Sequence, residues 1–198
     1  MPVTINGTTG VVTPGATIGS INGILKSSSG VVSQAIAGQD YGQLTLATAQ
    51  TASGTAVDFT GIPSWAKRIT VMFNGVSTNG TSPLRFQIGG ASIESSGYNG
   101  CSLRTATDGS VGTTSFSNGF DLFNIGSAPL NYFGNCVLSL ITNNIWSLTG
   151  ILSYPAANSQ FNSLAGTKQT SSSLSIVRIT TVNGTDTFDA GTINISYE

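Results

Sequence analysis

The sequence predicts an all-β protein, an antiparallel β-sandwich of jelly-roll-like path preceded by an extended N-terminal segment, on three observations. The composition is polar without being charged: Ser, Thr and Asn make up about a third of the chain and 25 glycines are added to them, against seven basic and eight acidic side chains in 198 residues. Such a mix suits short strands joined by many turns. From Leu44 onward apolar residues recur at period two, as on the buried face of a strand. No window of a dozen residues carries an i, i+3, i+4, i+7 apolar stripe, so helix content should be low.

Taken in chain order, the first 45 residues hold only two charges, Lys26 and Asp40, and no aromatic before Tyr41. That is too little to fill a core, so this segment should not fold alone. Within it GVV at 10–12 recurs at 30–32, each time followed by a hydroxyl residue, Thr13 or Ser33. Val11, Val12, Ile18, Ile21, Ile24 and Leu25 need an apolar partner that other copies of the chain could supply. Residues 1–45 are therefore read as an attachment or shaft segment and 46–198 as the sandwich domain.

In that domain Val57 and Phe59, then Ile69, Val71 and Phe73, then Leu84, Phe86 and Ile88 alternate with polar residues, and turn sequences lie at 62–65, 77–83 and 88–90. The stretch 95–119 has five glycines and few periodic apolar positions, and reads as long loops around short strands. No charge occurs between Asp121 and Lys168, and 133–154 is long enough to resemble a membrane span. Asn135, Asn143 and Asn144 would be costly in lipid, whereas Trp146, Leu148, Leu152 and Tyr154 share one strand parity. Two strands with a turn at Asn143-Asn144 are expected, with Trp146 in the core. Residues 174–182, a turn at Asn183-Gly184 and 192–198 complete the strands, with Ile195 facing inward.

The same composition removes most enzyme chemistry. There is no histidine to activate a serine or thiol, and Lys26, Lys67 and Lys168 are the only lysines available to a Ser-Lys pair. Asp186 and Asp189 could in principle serve glycoside hydrolysis or hold Ca²⁺, but beside a Gly-containing turn their simpler role is to cap it. Neither GxxxxGK nor a helix-opening GxGxxG is present. Cys101 and Cys136, 35 positions apart, have no CxxC context and read as two reduced side chains, a disulfide being the alternative. The sequons at Asn6, Asn79, Asn183 and Asn194 read as turn and strand sequence, since no secretory leader is visible. A net charge of -1 gives no field to attract nucleic acid. What remains is work mainly by shape and assembly. For sugar binding the aromatic candidates are Trp65, Tyr98, Trp146 and Tyr154, of which Tyr98, with Asn99 and Arg104 nearby, is the favoured receptor-binding set. Binding through so few charges should weaken little with salt. No catalytic residue, metal site or cofactor is expected.

GILKSSSGVVSQAIAGQDYG at 23–42 resembles the pattern G-x-L-K-x-x-x-G-x-V-x-x-A-x-x-G-x-D-Y of the N-terminal and shaft parts of bacteriophage tail fibres. The remainder, from 51–80 to 177–198, is similar to the C-terminal β-rich domain of small tail-fibre-like proteins, and the matches together span about four-fifths of the chain. The resemblance implies a virion structural protein made in the host cytoplasm, a homotrimer held to other tail or virion proteins through residues 1–45. Its sandwich would contact a polysaccharide or protein on the host surface, without membrane insertion. An architectural head fibre or decoration protein with no receptor is the second reading, and a polysaccharide depolymerase, short of carboxylates, the third. The resemblance carries no receptor-contacting residue onto this chain.

Overall fold

Every regular element among the described residues is a strand, and all pairings are antiparallel. The computed structural model describes residues 23–29, 31–36, 40–123, 131–155 and 159–198, and the chain divides into two compact units, Met1–Gly42 and Gln43–Glu198. In the first, β1 (Leu25–Ser28) and β2 (Val31–Gln34) form a hairpin. Lys26 bridges Asp40 at 2.8 Å, and the Asp40 carboxylate also accepts from the backbone N–H of Ile36. Ile24, Leu25, Val32 and Ile36 are exposed on this hairpin and its flanks. Val11, Val12, Ile18, Ile21, the first GVV copy and Asn6 lie outside the described residues.

The second unit contains β3 (Thr45–Leu46), β4 (Gln50–Thr51), β5 (Ala56–Thr60), β6 (Arg68–Thr78), β7 (Leu84–Gly89), β8 (Tyr98–Ala106) and β9 (Val111–Phe116). After these come β10 (Phe120–Asp121), β11 (Tyr132–Thr142), β12 (Ile145–Tyr154), β13 (Gln160–Gln169), β14 (Ile176–Thr181) and β15 (Phe188–Tyr197). They make a four-stranded sheet, in the order β10-β7-β14-β5, and a nine-stranded one, in the order β3-β15-β6-β11-β12-β13-β8-β9, with β4 also on β15. The chain alternates between sheets, since each carries one apolar face that only the other can cover.

Between them lies one apolar core. Phe73 of β6 meets Phe86 of β7 with ring centroids 5.5 Å apart, and Tyr98 of β8 meets Phe120 of β10 at 4.9 Å. Trp146 and Ile195 are both buried there, as their strand parity predicts. Asn143 and Asn144 take positive φ of 43° and 63°, the two-residue turn that matches strand twist, and Asn tolerates it. The β11–β12 hairpin follows directly.

One expectation is overturned. Residues 95–119 hold two strands, β8 and β9, rather than long loops around short ones. No apolar contrast marks them because their inward positions include Gly100, Ser102 and Gly112 while Cys101, Leu103 and Val111 lie among Asn, Thr and Ser on the outward side. The glycines answer a packing need: a Cβ on Gly100 or Gly166 would stand 2.7 or 2.8 Å from the Phe116 ring, which lies across both strands.

Candidate functional site

Tyr98, Asn99 and Arg104 share a strand but do not converge. Tyr98 is only 3 % exposed, and its hydroxyl accepts from the N–H of Ile88 at 2.8 Å and bonds the Glu94 carbonyl at 2.8 Å. Burial pushes this phenol above its usual range. Lys168, paired to Glu94, sits 5.5 Å from the ring centre. The ring is thus spent inside the sandwich and cannot present a face to a ligand. Asn99 is exposed on the opposite face of β8, and Arg104 lies half-buried near its other end.

What the sheet does assemble is an uncharged outward face. On β8, β9, β11, β12 and β13 the outward residues are odd-numbered, and none from 99 to 105, 111 to 115, 133 to 139, 147 to 153 or 161 to 167 bears a charge. Leu103, Val111, Ile151 and Phe161 stand 37 to 64 % exposed on it. At one end, register places Phe133, Ser153, Phe161 and Thr105 side by side across four strands. There Phe133, Ser153, Tyr154, Pro155, Ser159, Gln160 and Phe161 line a groove of about 360 Å³.

Arg104 stands behind this groove, its Nε donating to Oε1 of Gln160. The Tyr154 hydroxyl is buried, and burial raises it while the neighbouring guanidinium opposes the shift. Arg104 is the group beside it, close enough for its guanidinium to hold the hydroxyl's shift in check. Aromatic faces, an amide, hydroxyls and one cation are the means of holding a sugar ring. Arg104 is the member of the expected set that bonds a residue of the groove, Gln160. Phe133 and Phe161 were not singled out from the sequence, because only register brings positions 28 residues apart to the same row.

The remaining candidates take structural roles. Trp65 is half-buried against Tyr197, ring centroids 5.5 Å apart, and Trp146 lies in the core. The Asp186 carboxylate accepts from Ser82 N–H at 2.9 Å and Asn183 Nδ2 at 2.7 Å, and these bonds hold it below the usual carboxylate range. Asp189 accepts from the Ser77 hydroxyl. Among the described residues no three His, Cys, Asp or Glu side chains gather to hold a metal. Asn79, Asn183 and Asn194 use their amides on Thr187, Thr185 and Ala47 backbone groups. Cys101 and Cys136 are both free, the first exposed and the second buried. No helix among the described residues is long and apolar enough to cross a membrane.

Comparison with protein-family models finds no match. Neither curated proteins nor solved structures yield one.

Proposed function

We propose that this chain is a bacteriophage structural protein, a short fibre whose sandwich attaches the particle to the host surface. The observation that carries the attachment is the aromatic groove at the end of a five-strand outward face without a single charge. A surface that binds through rings, hydroxyls and amides suits a glycan coat better than nucleic acid or anionic lipid. The virion assignment rests on the tail-fibre-like segment 23–42. It is supported at fold level by the strand path. We read that path as a jelly roll with one strand expanded into the meander β11–β13 and the β8–β9 hairpin added at the edge beyond it, an architecture frequent in capsid and lectin domains.

In this reading the protein is not an enzyme, binds no cofactor, and works as a homotrimer joined to neighbouring virion proteins through residues 1–45. A native molar mass near 20.2 kDa at micromolar concentration would overturn the trimer. The direct test of attachment is adsorption of the purified chain to cells of a susceptible strain and to their extracted surface polysaccharide. Saturable binding to both is expected. Labelling on intact particles in the electron microscope, with no adsorption by the free protein, would favour the architectural reading instead.

A further inference from the structure

Arg104 is the exception among the cations of this chain. Lys26, Arg68, Arg85, Lys168 and Arg178 each stand against a carboxylate, and Lys67 is exposed. Arg104 is half-buried and forms no ion pair among the described residues; its Nε bond goes to a neutral amide. Drawing a guanidinium partly out of water with no anion beside it is costly, so its place here calls for a reason. Beside it stands Tyr154, a residue 1 % exposed whose hydroxyl has the Arg104 guanidinium as its polar neighbour and whose side chain lines the groove. Tyr154 lines the groove together with Phe133 and Phe161, and Arg104 is bonded to Gln160 of the same lining.

We propose that the groove binds a saccharide bearing a carboxylate, such as a terminal uronic acid. The carboxylate would lie on the Arg104 fork and the Tyr154 hydroxyl, and the sugar ring on Phe161, which is 53 % exposed. Gln160 and Ser153 would meet ring hydroxyls. Arg104, held by Gln160, is oriented before the ligand arrives, which limits the ordering cost of binding. At about 360 Å³ the groove lies near the lower end of ligand sites, so it suits a short terminal unit rather than a long chain. The proposal rests on the attachment reading and narrows it from any host glycan to an acidic one.

The test is calorimetric titration of the full chain with three probes: an oligosaccharide ending in glucuronic acid, the same compound with its carboxyl reduced to an alcohol, and the matching sugar phosphate. The acid form is expected to bind about ten- to a hundredfold more tightly than the reduced form. Arg104→Gln should abolish that preference, and Phe161→Ala, an exposed change, should weaken both forms. Arg178→Gln on the other sheet should alter neither. Should Arg104→Gln fail to fold, Arg104→Lys keeps the charge without the fork and should retain only part of the preference. Equal affinity for acid and reduced forms, tighter binding of the phosphate, or no binding of any probe would overturn the carboxylate assignment. Host-cell adsorption that survives Arg104→Gln overturns this inference and leaves attachment standing. Saccharide binding with no adsorption to any susceptible strain does the reverse.

Discussion

The two outward faces of the sandwich treat charge in opposite ways. On the four-stranded sheet Arg178 of β14 lies across from Asp58 of β5, bonded at 2.6 and 2.7 Å, and Arg85 of β7 lies across from Asp121 of β10, bonded at 2.6 and 2.8 Å. On β8, β9 and β11–β13 of the larger sheet no outward position is charged, and five large apolar side chains are left in the open. Paired cross-strand charges are what a solvated sheet face carries. A broad uncharged face with exposed apolar groups is the composition of a contact surface. The difference teaches that within the sandwich the scarcity of charge is one-sided: it falls on the outward face of β8, β9 and β11–β13, while the smaller sheet is furnished normally.

The comparison breaks first if strand parity is wrong. Leu152 and Ile151 are neighbours on β12, one fully buried and the other 57 % exposed. Leu152→Ala should cost about 2–5 kcal/mol and Trp146→Ala about 3–5, against under about 0.5 for Ile151→Ala. Urea unfolding of the three variants measures this, and similar losses at 151 and 152 would invert the assignment of faces.

A smaller effect sharpens the functional half of the contrast. If the proposed attachment uses this face, Ile151→Lys should lower adsorption to host cells by about tenfold or more, because a charge must then be desolvated in the contact. Thr60→Lys, exposed on β5 of the smaller sheet, should leave adsorption unchanged. Equal losses would mean that both faces, or neither, touch the target.

Acid should weaken the fold through the junction of β13 with the loop before β8. Burial alone would raise the Glu94 carboxyl, but hydrogen bonds from Lys168 and Ser171 outweigh it and hold the group below its ordinary value of 4.5. The folded state therefore binds fewer protons here than the unfolded one. The stabilisation is present above about pH 4.5 and is lost as pH falls below it. Thermal melts between pH 6 and pH 3 should show a gentler decline for Glu94→Gln than for the parent. Identical slopes would remove Glu94 from the account.

The smallest effect belongs to the paired charges. Arg178 and Asp58 side chains are each about a third exposed, so Asp58→Ala should cost no more than about 1 kcal/mol by urea unfolding. A loss as large as that at Leu152 would show that the smaller sheet depends on its charges for stability.

Much of the core was legible because alternation survives wherever one face of a strand meets apolar side chains and the other meets water. Trp146, Ile195 and the Asn143-Asn144 turn follow from that alone. The same rule fails at β8, whose inner face is made of Gly100, Ser102 and Arg104 beside Tyr98. It also misleads at Tyr98, since an aromatic beside glycines looks like a loop residue when the packing that demands the glycines, the Phe116 ring, is unseen. The groove was not legible as a unit: Phe133, Tyr154 and Phe161 belong to three strands, and Arg104 to a fourth that is joined to them out of chain order. The charge-free run from 122 to 167 was the available sign, and it pointed to the strands without indicating which of their faces would be outermost.

Cys101 sits among the outward residues of β8, while Cys136 is sealed in the core with its thiol pushed up by burial. Nature has left one alkylatable sulfur on the uncharged face and locked the other away. A maleimide dye should accordingly mark the native chain once, at position 101, without any engineered handle. Under the proposed virion role, comparing that labelling rate for the free protein, the assembled particle and the particle seated on its host would footprint the face at each stage, and tell whether it is covered during assembly or kept bare until arrival.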